Sequence, residues 1–353
     1  MSPSAHIPPF YCPIPAGIHP AAYEINNRSI EWMNRLNLGI SAEHRQKLAA
    51  GKFGLLASLT SPEGTADGVQ WSSDWLYWSF ALDDARDLPD QSRPLEEVAA
   101  HTAKLQRTLE VPCSDLIKLE EDPLAEGIVD LMGRLDVLAT PTQRERFSNT
   151  MRQYFFAELW ETSLHRRGLV PGLNEWTSIR IGVGGGLVAQ ELAPIVNVYE
   201  VRSEEMDAPP VRALMEMCAL LTAWDNDLYS YHVETNGQVL GFNLPDVLRH
   251  VNGYSVHEAL GQAAAWRDRV MHLFLRLRNQ VSASASPALR RFLHNQGQWI
   301  RGNIAWGLTS NRYSPDATTR AVRSQTGWSS QPRDSSLDPL PLPSIAWWWE
   351  QLS

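Results

Sequence analysis

The spacing of apolar residues along the chain predicts helices through most of residues 21–313. In the first of them, Tyr23, Ile30, Met33 and Leu36 recur at intervals that place them near one face of an α-helix. The other predicted helices cover 41–51, 53–60, 67–87, 93–109, 121–137, 141–166, 172–199 with a break at its glycines, 209–235, 255–282 and 287–311. We find no alternation of apolar and polar residues, bounded by turn residues, that predicts a strand. The pattern therefore predicts an all-α fold.

The two ends of the chain differ from this helical body. Residues 1–20 contain six prolines, and because proline lacks the amide hydrogen that a helix needs, they predict an extended strap. Residues 314–353 predict a polar, flexible tail, since 314–346 are rich in Ser, Pro, Asp, Arg and Thr. Near its end, Trp347-Trp348-Trp349 can fold back onto the body or meet a partner. Between the ends no linker interrupts 21–313, so we expect one domain there.

Composition excludes two classes of protein. The 353 residues carry 31 Lys and Arg against 40 Asp and Glu, a net charge of −9, which does not supply the basic face of a dedicated nucleic-acid binder. Apolar stretches fall short of the roughly 18 to 20 residues that span a membrane. The opening residues lack the early positive charge and apolar run of a secretory signal. Cys12, Cys113 and Cys218 are far apart and form no zinc or redox motif, which suits a reducing compartment. We therefore expect a cytoplasmic protein.

An acidic motif, Asp83-Asp84-Ala85-Arg86-Asp87, closes the predicted helix 67–87. Asp83 and Asp87 would lie one turn apart on one face of this helix, with Asp84 about 100° round. A solvated acidic helix end is the plainer interpretation, but negative charge is unfavourable at a helix C-terminus. Carboxylates in that position favour a cation, and hard divalent ions such as Mg²⁺ combine carboxylate with phosphate oxygens. The motif therefore predicts a metal site.

A second motif places three polar residues on one face of an apolar helix. Asn226, Ser230 and Glu234 recur every four residues, so they would form a ladder within an arc of about 80° and about 12 Å long. Each alone is more often a satisfied polar residue of the interior. Together, an amide oxygen, a hydroxyl and a carboxylate offer three oxygen ligands to one hard cation.

The two motifs, in this order and 143 residues apart, resemble the aspartate-rich DDxxD motif and the NSE motif of microbial class I terpene synthases. Arg180 lies 46 positions before Asn226, where this family has an arginine that senses the substrate diphosphate. Arg312-Tyr313 resembles the Arg-Tyr pair that ends the family's catalytic helices. The resemblance covers about residues 20–313 and implies a single-domain helical bundle around a central apolar cavity.

The resemblance also implies a role for each motif. With diphosphate bound, three Mg²⁺ ions are expected, held by motif side chains: Asp83, Asp84, Asp87, Asn226, Ser230 and Glu234. Diphosphate oxygens would be bound by Arg180, Arg312 and Tyr313, and the planar fork of Arg suits that task. After the arginine sensor the family has a helix break, whose linker and effector residues correspond here to Val183 and Gly184. The chain has Val233 where many relatives have a lysine.

The implied reaction is ionisation of an allylic diphosphate followed by cyclisation of the carbocation, which needs charge stabilisation on one side and an apolar, aromatic wall on the other. Tyr77 and Phe80 precede Asp83 by six and three residues, so they face roughly the same way. Phe53 and Trp306 are further candidates for the wall. Core packing is the alternative role for each aromatic residue.

Several alternatives stay open beside a terpene cyclase. A chain-elongating prenyl transferase shares the fold and metals but carries a second DDxxD motif, and a helical binding protein would need no chemistry. The glycines of 182–186 also suggest a dinucleotide site, but Leu187 stands where its fingerprint needs Gly or Ala. Farnesyl diphosphate is the favoured substrate and geranylgeranyl diphosphate a close second, since the glycines remove side-chain volume from the pocket wall. A homodimer is expected.

Overall fold

Helices fill most of the chain in the computed structural model, which describes residues 6–86, 94–111, 121–234, 242–313 and 326–353, without the Glu234 side chain. The helices are α1 Ala22–Arg35, α2 Ala42–Gly51, α3 Phe53–Thr60, α4 Ala66–Arg86, α5 Leu95–Glu110, α6 Pro123–Leu138, α7 Pro141–Arg166, α8 Leu173–Val183, α9 Gly186–Val196, α10 Ser203–Met206, α11 Pro209–Tyr229, α12 Tyr231–Glu234, α13 Leu244–Asn252, α14 Val256–Ser284 and α15 Pro287–Thr309. Two short 3₁₀ helices cover Asn311–Tyr313 and Ala346–Gln351. Strands β1 Phe10–Tyr11 and β2 Trp328–Ser329 pair in parallel. The predicted all-α fold is confirmed.

Side-chain caps fix the starts of several helices. Thr140 accepts a hydrogen bond from the Gln143 amide, and the Gln143 side chain bonds back to the Thr140 amide, which makes a capping box at the start of α7. Ser255 and Glu258 form the same arrangement at α14. Each cap satisfies amide hydrogens that the first helical turn leaves unpaired. The two helices with this arrangement are 26 and 29 residues long.

Two helices carry the motifs that the sequence singled out, and neighbouring helices join them. Helix α4 packs against α1, α3 and α6, and α11 packs against α8, α14 and α15. Because α15 contacts both α3 and α11, and α9 contacts both α4 and α11, these two helices connect the α4 side of the bundle to the α11 side. Asp83 and Asp84 of the acidic motif lie at the C-terminal end of α4, and Asn226 lies in the last turn of α11.

The helix break predicted within 172–199 lies between α8 and α9. Gly185 has a φ of 67°, a conformation that side chains with a Cβ rarely adopt. A Cβ on Gly186 would lie 2.6 Å from the Ala219 Cα atom, so the start of α9 approaches α11 closely. By length and composition the stretch Leu173–Val196 could cross a membrane, but 56% of its apolar window is buried inside the structure. This is the pattern of a core element.

Two helical predictions differ from the structure. The helix predicted for 209–235 ends at Tyr229, and Ser230 separates α11 from the short α12. The Ser230 hydroxyl donates to the Asn226 carbonyl oxygen at 2.6 Å, and such a local bond competes with the helical pattern. Helix α13 was not predicted, although Asn243 caps its start and Gly253 follows its end with a φ of 69°. Leu244, Val247 and Leu248 keep helical spacing and are buried, so this pattern was present in the sequence.

Residues 326–353 differ from the flexible tail predicted for 314–353. Five apolar side chains of this segment are buried: Leu340, Leu342, Ile345, Trp348 and Trp349. The Trp348 indole donates to a Glu216 carboxylate oxygen on α11 at 2.9 Å. The polar composition of the segment did not indicate these few buried residues. Burial of apolar side chains stabilises a segment even when most of its residues are hydrophilic.

Replacement of Trp348 by alanine should lower the free energy of unfolding by about 3 kcal/mol, because a fully buried indole (0% exposed) is lost together with its hydrogen bond. Urea unfolding followed by circular dichroism measures the change. Leu337→Ala is the control, since Leu337 lies in the same segment but is 38% exposed, and its effect should stay within about 0.5 kcal/mol. Equal stability of the two variants would contradict the packing of the segment.

The N-terminal residues lie extended, with Ile7, Phe10 and Ile14 buried against the helices. They are held by a buried guanidinium on α14, because Arg267 donates to the Tyr11 carbonyl oxygen. The same guanidinium pairs with Asp225 of α11, with its Nε 2.6 Å from Asp225 Oδ1. Full burial of this charge is sustained by its carboxylate partner. Arg267 therefore links the strap to α11, the helix that carries Asn226.

Candidate active site

The end of α4 presents the acidic motif next to an arginine from the far end of the chain. The Asp83 side chain is 51% exposed, and its Oδ2 lies 3.7 Å from the Arg312 Nη2. Both terminal nitrogens of Arg312 donate hydrogen bonds to Asp84, Nη2 to Oδ1 at 2.6 Å and Nη1 to Oδ2 at 3.1 Å. A two-pronged pair of this kind fixes orientation as well as charge.

Asp84 has a further partner in α2, the His44 imidazole, whose Nε2 lies 2.8 Å from Asp84 Oδ2. Burial disfavours ionisation of Asp84, but the hydrogen bonds from Arg312 and His44 outweigh burial and hold the pKa of this carboxyl below its usual range. The sequence placed Asp84 among the metal ligands. In the structure both of its oxygens accept hydrogen bonds from protein side chains.

Arg180 of α8 meets the second motif. Its Nη2 donates to Asn226 Oδ1 at 3.0 Å, and its Nε donates to Asp227 Oδ1 at 2.9 Å. The other oxygen of Asp227 accepts from the Leu244 amide at 2.8 Å. Burial raises the pKa of Asp227, although Arg180 opposes this effect. Asp227 therefore forms an ion pair with Arg180, and Asn226 accepts a hydrogen bond from the same guanidinium.

The Asn226 side chain also joins the Arg-Tyr pair. Its amide nitrogen donates to the Tyr313 hydroxyl at 3.0 Å and to the Tyr229 hydroxyl at 3.3 Å. Tyr229 in turn donates to Asn303 of α15 at 3.2 Å. Because Arg312 contacts the acidic motif and Tyr313, the next residue, contacts Asn226, the Arg-Tyr pair links the two motifs.

An aromatic cluster lies beside Arg312 and contains all four of the predicted wall residues. The Phe53 and Phe80 rings stack with centroids 4.0 Å apart, and Phe53 meets Tyr77 edge-on at 5.0 Å and Trp306 at 5.6 Å. The Arg312 guanidinium carbon lies 4.7 Å from the centre of the Phe80 ring, within cation–π range. Tyr77 is fully buried and donates to Asn26 at 3.1 Å, whereas Phe80 is only partly buried.

The remaining predicted residues are placed only in part. Val183 and Gly184 lie at the C-terminal end of α8, and a Cβ on Gly184 would lie 2.9 Å from the Ala223 Cβ of α11. Asp87 and the Glu234 side chain lie outside the described residues. Within the described side chains no group of three His, Cys, Asp or Glu residues converges. The donors that the structure does place here are carboxylate, amide and hydroxyl oxygens, which fit a hard divalent cation.

Sequence reasoning missed three contributors to the site. His44 holds Asp84, Asp227 holds Arg180, and Glu158 of α7 pairs with Arg86 of the acidic motif at 2.5 Å. Burial raises the pKa of Glu158 to about 7 even though Arg86 opposes the shift. Asp227 was adjacent to a recognised motif residue, which was a usable signal. His44 and Glu158 carry no local pattern, because their partners are distant in sequence.

Known proteins similar to this chain share its length and its fold. The description "Terpene synthase family 2, C-terminal metal binding" matches residues 74–272. The (+)-(1(10)E,4E,6S,7R)-germacradien-6-ol synthase of Streptomyces pratensis is 32% identical over 98% of this chain and 97% of its own. The (2E,6E)-farnesyl diphosphate cyclizing (+)-T-muurolol synthase of Streptomyces clavuligerus is 33% identical over 96% and 81%. The crystal structure of the ancestral reconstruction SVS_A2 superimposes with a TM-score of 0.87, at 33% identity and 98% coverage of both chains.

The fold, the two linked motifs and these relatives agree, and the chain belongs to the microbial class I terpene synthases. It is a terpene cyclase, an enzyme that cyclises a prenyl diphosphate. Its metal-binding domain takes up a divalent cation.

Proposed function

We propose that the protein performs Mg²⁺-dependent ionisation and cyclisation of farnesyl diphosphate, with geranylgeranyl diphosphate as the second candidate. The observation that carries the proposal is the convergence of Arg180, Arg312 and Tyr313 on the two oxygen-rich motifs. A leaving diphosphate bears several negative charges and needs cationic donors and metals on one side of the pocket. The similar T-muurolol synthase is named for farnesyl diphosphate, which supports the shorter substrate.

The metal ligands of this proposal come from both motifs. Asp83 and Asp87 would hold two Mg²⁺ ions at the end of α4, and Asn226, Ser230 and Glu234 would hold a third. Bound Mg²⁺ acts as a Lewis acid that neutralises the charge developing on the leaving oxygen. We assign Asp84 to the positioning of Arg312 rather than to a metal, because Arg312 bridges its two oxygens and His44 adds a third hydrogen bond. Among the described residues, Asn226 Oδ1 accepts a single hydrogen bond, from Arg180, and keeps a lone pair for a cation.

The protein's own donors would orient the diphosphate. Asp84 fixes the orientation of the Arg312 guanidinium, and Asp227 fixes that of Arg180. Because both side chains are already ordered, binding of the diphosphate would cost little further conformational entropy. Tyr313 would add a hydroxyl donor to the same group. Val183 and Gly184, at the end of α8, would act on the leaving group from the opposite wall. Beneath them, the aromatic faces of the cluster around Phe80 would stabilise positive charge and exclude water.

Replacement of Phe80 by alanine should change the ratio of cyclic products while the protein stays folded, because Phe80 is the cluster member nearest to Arg312 and only partly buried. Gas chromatography with mass detection compares the products. Phe156→Ala is the control, since Phe156 is 70% exposed on α7. An unchanged product ratio in the Phe80 variant would return this residue to ordinary core packing.

The direct test of the proposed reaction incubates purified protein with geranyl, farnesyl and geranylgeranyl diphosphates, each with and without Mg²⁺. A cyclic hydrocarbon or alcohol formed only with metal supports the proposal and fixes the chain length of the substrate. Longer prenyl diphosphates, formed when isopentenyl diphosphate is added, would identify a prenyl transferase instead. Folded protein that turns over none of the three substrates would contradict the proposed substrates.

We extend the proposal to the organisation of the chain. Residues 21–313 would carry catalysis, and the terminal segments would brace the bundle, since Arg267 binds the strap and Glu216 binds Trp348. A cytoplasmic location is consistent with three widely spaced cysteines. A homodimer is part of the proposal, and light scattering at two protein concentrations tests it.

A further inference from the structure

Helix α2 contacts the active site at both of its ends. Near its N-terminus, His44 is a buried residue whose Nε2 lies 2.8 Å from Asp84 Oδ2. At its C-terminus, the Gly51 carbonyl oxygen accepts the Trp306 indole hydrogen at 2.9 Å and the Ser310 hydroxyl at 3.0 Å. Of these three partners of α2, only Asp84 belongs to one of the two metal motifs. The helix thus joins the acidic motif to the chain segment that leads into Arg312.

The hydrogen bonds around His44 define its tautomer. The Ile40 amide donates to His44 Nδ1 at 3.2 Å, so Nδ1 acts as an acceptor in the neutral ring. The ring proton is therefore on Nε2, and it is donated to Asp84. The ring itself is placed by the cap of α2, because the His44 amide donates to the Ser41 hydroxyl at 3.1 Å. His44 is thus a donor of fixed direction.

Asp84 transmits this restraint to Arg312. His44 Nε2 and Arg312 Nη1 share Asp84 Oδ2, while Arg312 Nη2 takes Oδ1. Asp83 Oδ2 lies 3.7 Å from the same Arg312 nitrogen and is a second carboxylate within ion-pairing range. A hydrogen bond from His44 stabilises the carboxylate plane of Asp84 in the orientation that receives both prongs of the guanidinium. It therefore favours Asp84 over Asp83 as the partner of Arg312.

The backbone of Arg312 is restrained from the other end of α2. Its amide donates to the Ser310 hydroxyl at 3.2 Å, and that hydroxyl donates to the Gly51 carbonyl oxygen. The side chain is fixed through His44 and Asp84, and the backbone through Gly51 and Ser310. One ten-residue helix thus sets both the position and the direction of the guanidinium.

We propose that His44 is a positioning residue of the reaction, which acts through Asp84 to hold the Arg312 guanidinium in the orientation that receives the substrate diphosphate. This inference rests on the proposed function, because it assigns Arg312 to the diphosphate. The imidazole touches neither substrate nor metal. Loss of the imidazole would keep all the proposed diphosphate donors, but Arg312 would lose one of the restraints on its orientation.

The experiment compares His44→Leu, which removes the donor, with His44→Gln, which keeps a nitrogen donor at a similar reach. We expect His44→Leu to lower kcat/KM for the prenyl diphosphate by about 10- to 100-fold, while His44→Gln recovers most of the loss. In a double-mutant cycle with Asp84→Asn, the His44 effect should vanish, because both residues act on the same arginine. Additive effects in the cycle, or no recovery by glutamine, would overturn the proposal.

A binding measurement separates this inference from the proposed function. Calorimetric titration with inorganic diphosphate and Mg²⁺ needs no turnover, and His44→Leu should weaken binding by about 10-fold or more. His101→Leu is the matched control, because His101 Nε2 forms a similar pair with Asp122 at 2.7 Å between α5 and α6, and it should leave diphosphate affinity unchanged. Equal affinity in wild type and His44→Leu would overturn the role of His44 even if a prenyl diphosphate is cyclised. Absence of turnover in the wild type, with the His44 effect on diphosphate binding intact, would contradict the substrate alone.

Discussion

Replacement of Asp83 by alanine should reduce product formation by about 1,000-fold or more, in a protein that keeps its helical content. The expected loss is large because the proposed reaction stabilises leaving-group charge almost entirely through metals and cationic donors. The fold should survive because the Asp83 side chain is half exposed at the end of α4, and its ion pair with Arg312 is long, at 3.7 Å. Product quantification with farnesyl diphosphate, together with circular dichroism, measures both effects.

Asp67→Ala is the matched control for this variant. Asp67 is an exposed aspartate in the first turn of the same helix, where its charge supports the helix dipole by less than about 1 kcal/mol. Turnover in this variant should equal that of the wild type. If Asp83→Ala retained product formation at the level of Asp67→Ala, the acidic motif would not be a metal site.

Much of the fold was predictable because apolar periodicity reports helix faces directly. Helices α3, α7 and α15 match their predicted bounds to within about two residues. The segment 326–353 was not predictable in the same way, since its burial depends on spaced contacts such as Trp348 on Glu216. Those contacts join residues that are far apart in the sequence and follow no period.

The residues of the active site were likewise only partly predictable from the sequence. Spacing within a helix predicted that Asp83 and Asn226 carry the chemistry, and the resemblance added Arg180 and Arg312. The partner of each arginine could not be predicted, although Asp84 and Asp227 stand in recognised motifs, because pairing depends on the direction in which each side chain points. That direction depends on which helix packs alongside, and α2, which supplies His44, was predicted without any role.

The structure suggests why these partners matter for the electrostatics. Arg312 and Arg180 each face a carboxylate, Asp84 and Asp227, that both orients and compensates the positive charge before a diphosphate arrives. An unpaired guanidinium in a partly buried pocket would carry a desolvation cost. The pairs order the arginines through Asp84 and Asp227, while Asp83, the more exposed carboxylate of the motif, lies 3.7 Å from Arg312. Under the proposed function, Asp84 orients Arg312 and the adjacent Asp83 binds metal.

Replacement of Asn226 by alanine should abolish turnover, with a loss of about 1,000-fold or more, because one side chain serves three functions at once. Its oxygen accepts from Arg180, its nitrogen donates to Tyr313, and the proposed third Mg²⁺ needs the same amide oxygen. Loss of the side chain would release the arginine sensor and the Arg-Tyr pair together with a metal ligand. The variant should remain helical, since α11 is held by the apolar residues of its buried faces.

Two further variants show which of these functions dominates. Asn226→Asp keeps an oxygen for the metal and for Arg180 but cannot donate to Tyr313, so it should retain more activity than the alanine variant and show a raised KM. Asn252→Ala is the control, because Asn252 is an exposed asparagine at the end of α13. Diphosphate titration with Mg²⁺ and product analysis measure the three variants side by side. An aspartate variant as inactive as the alanine variant would mean that the amide donor to Tyr313, rather than the oxygen, is the essential half of this side chain.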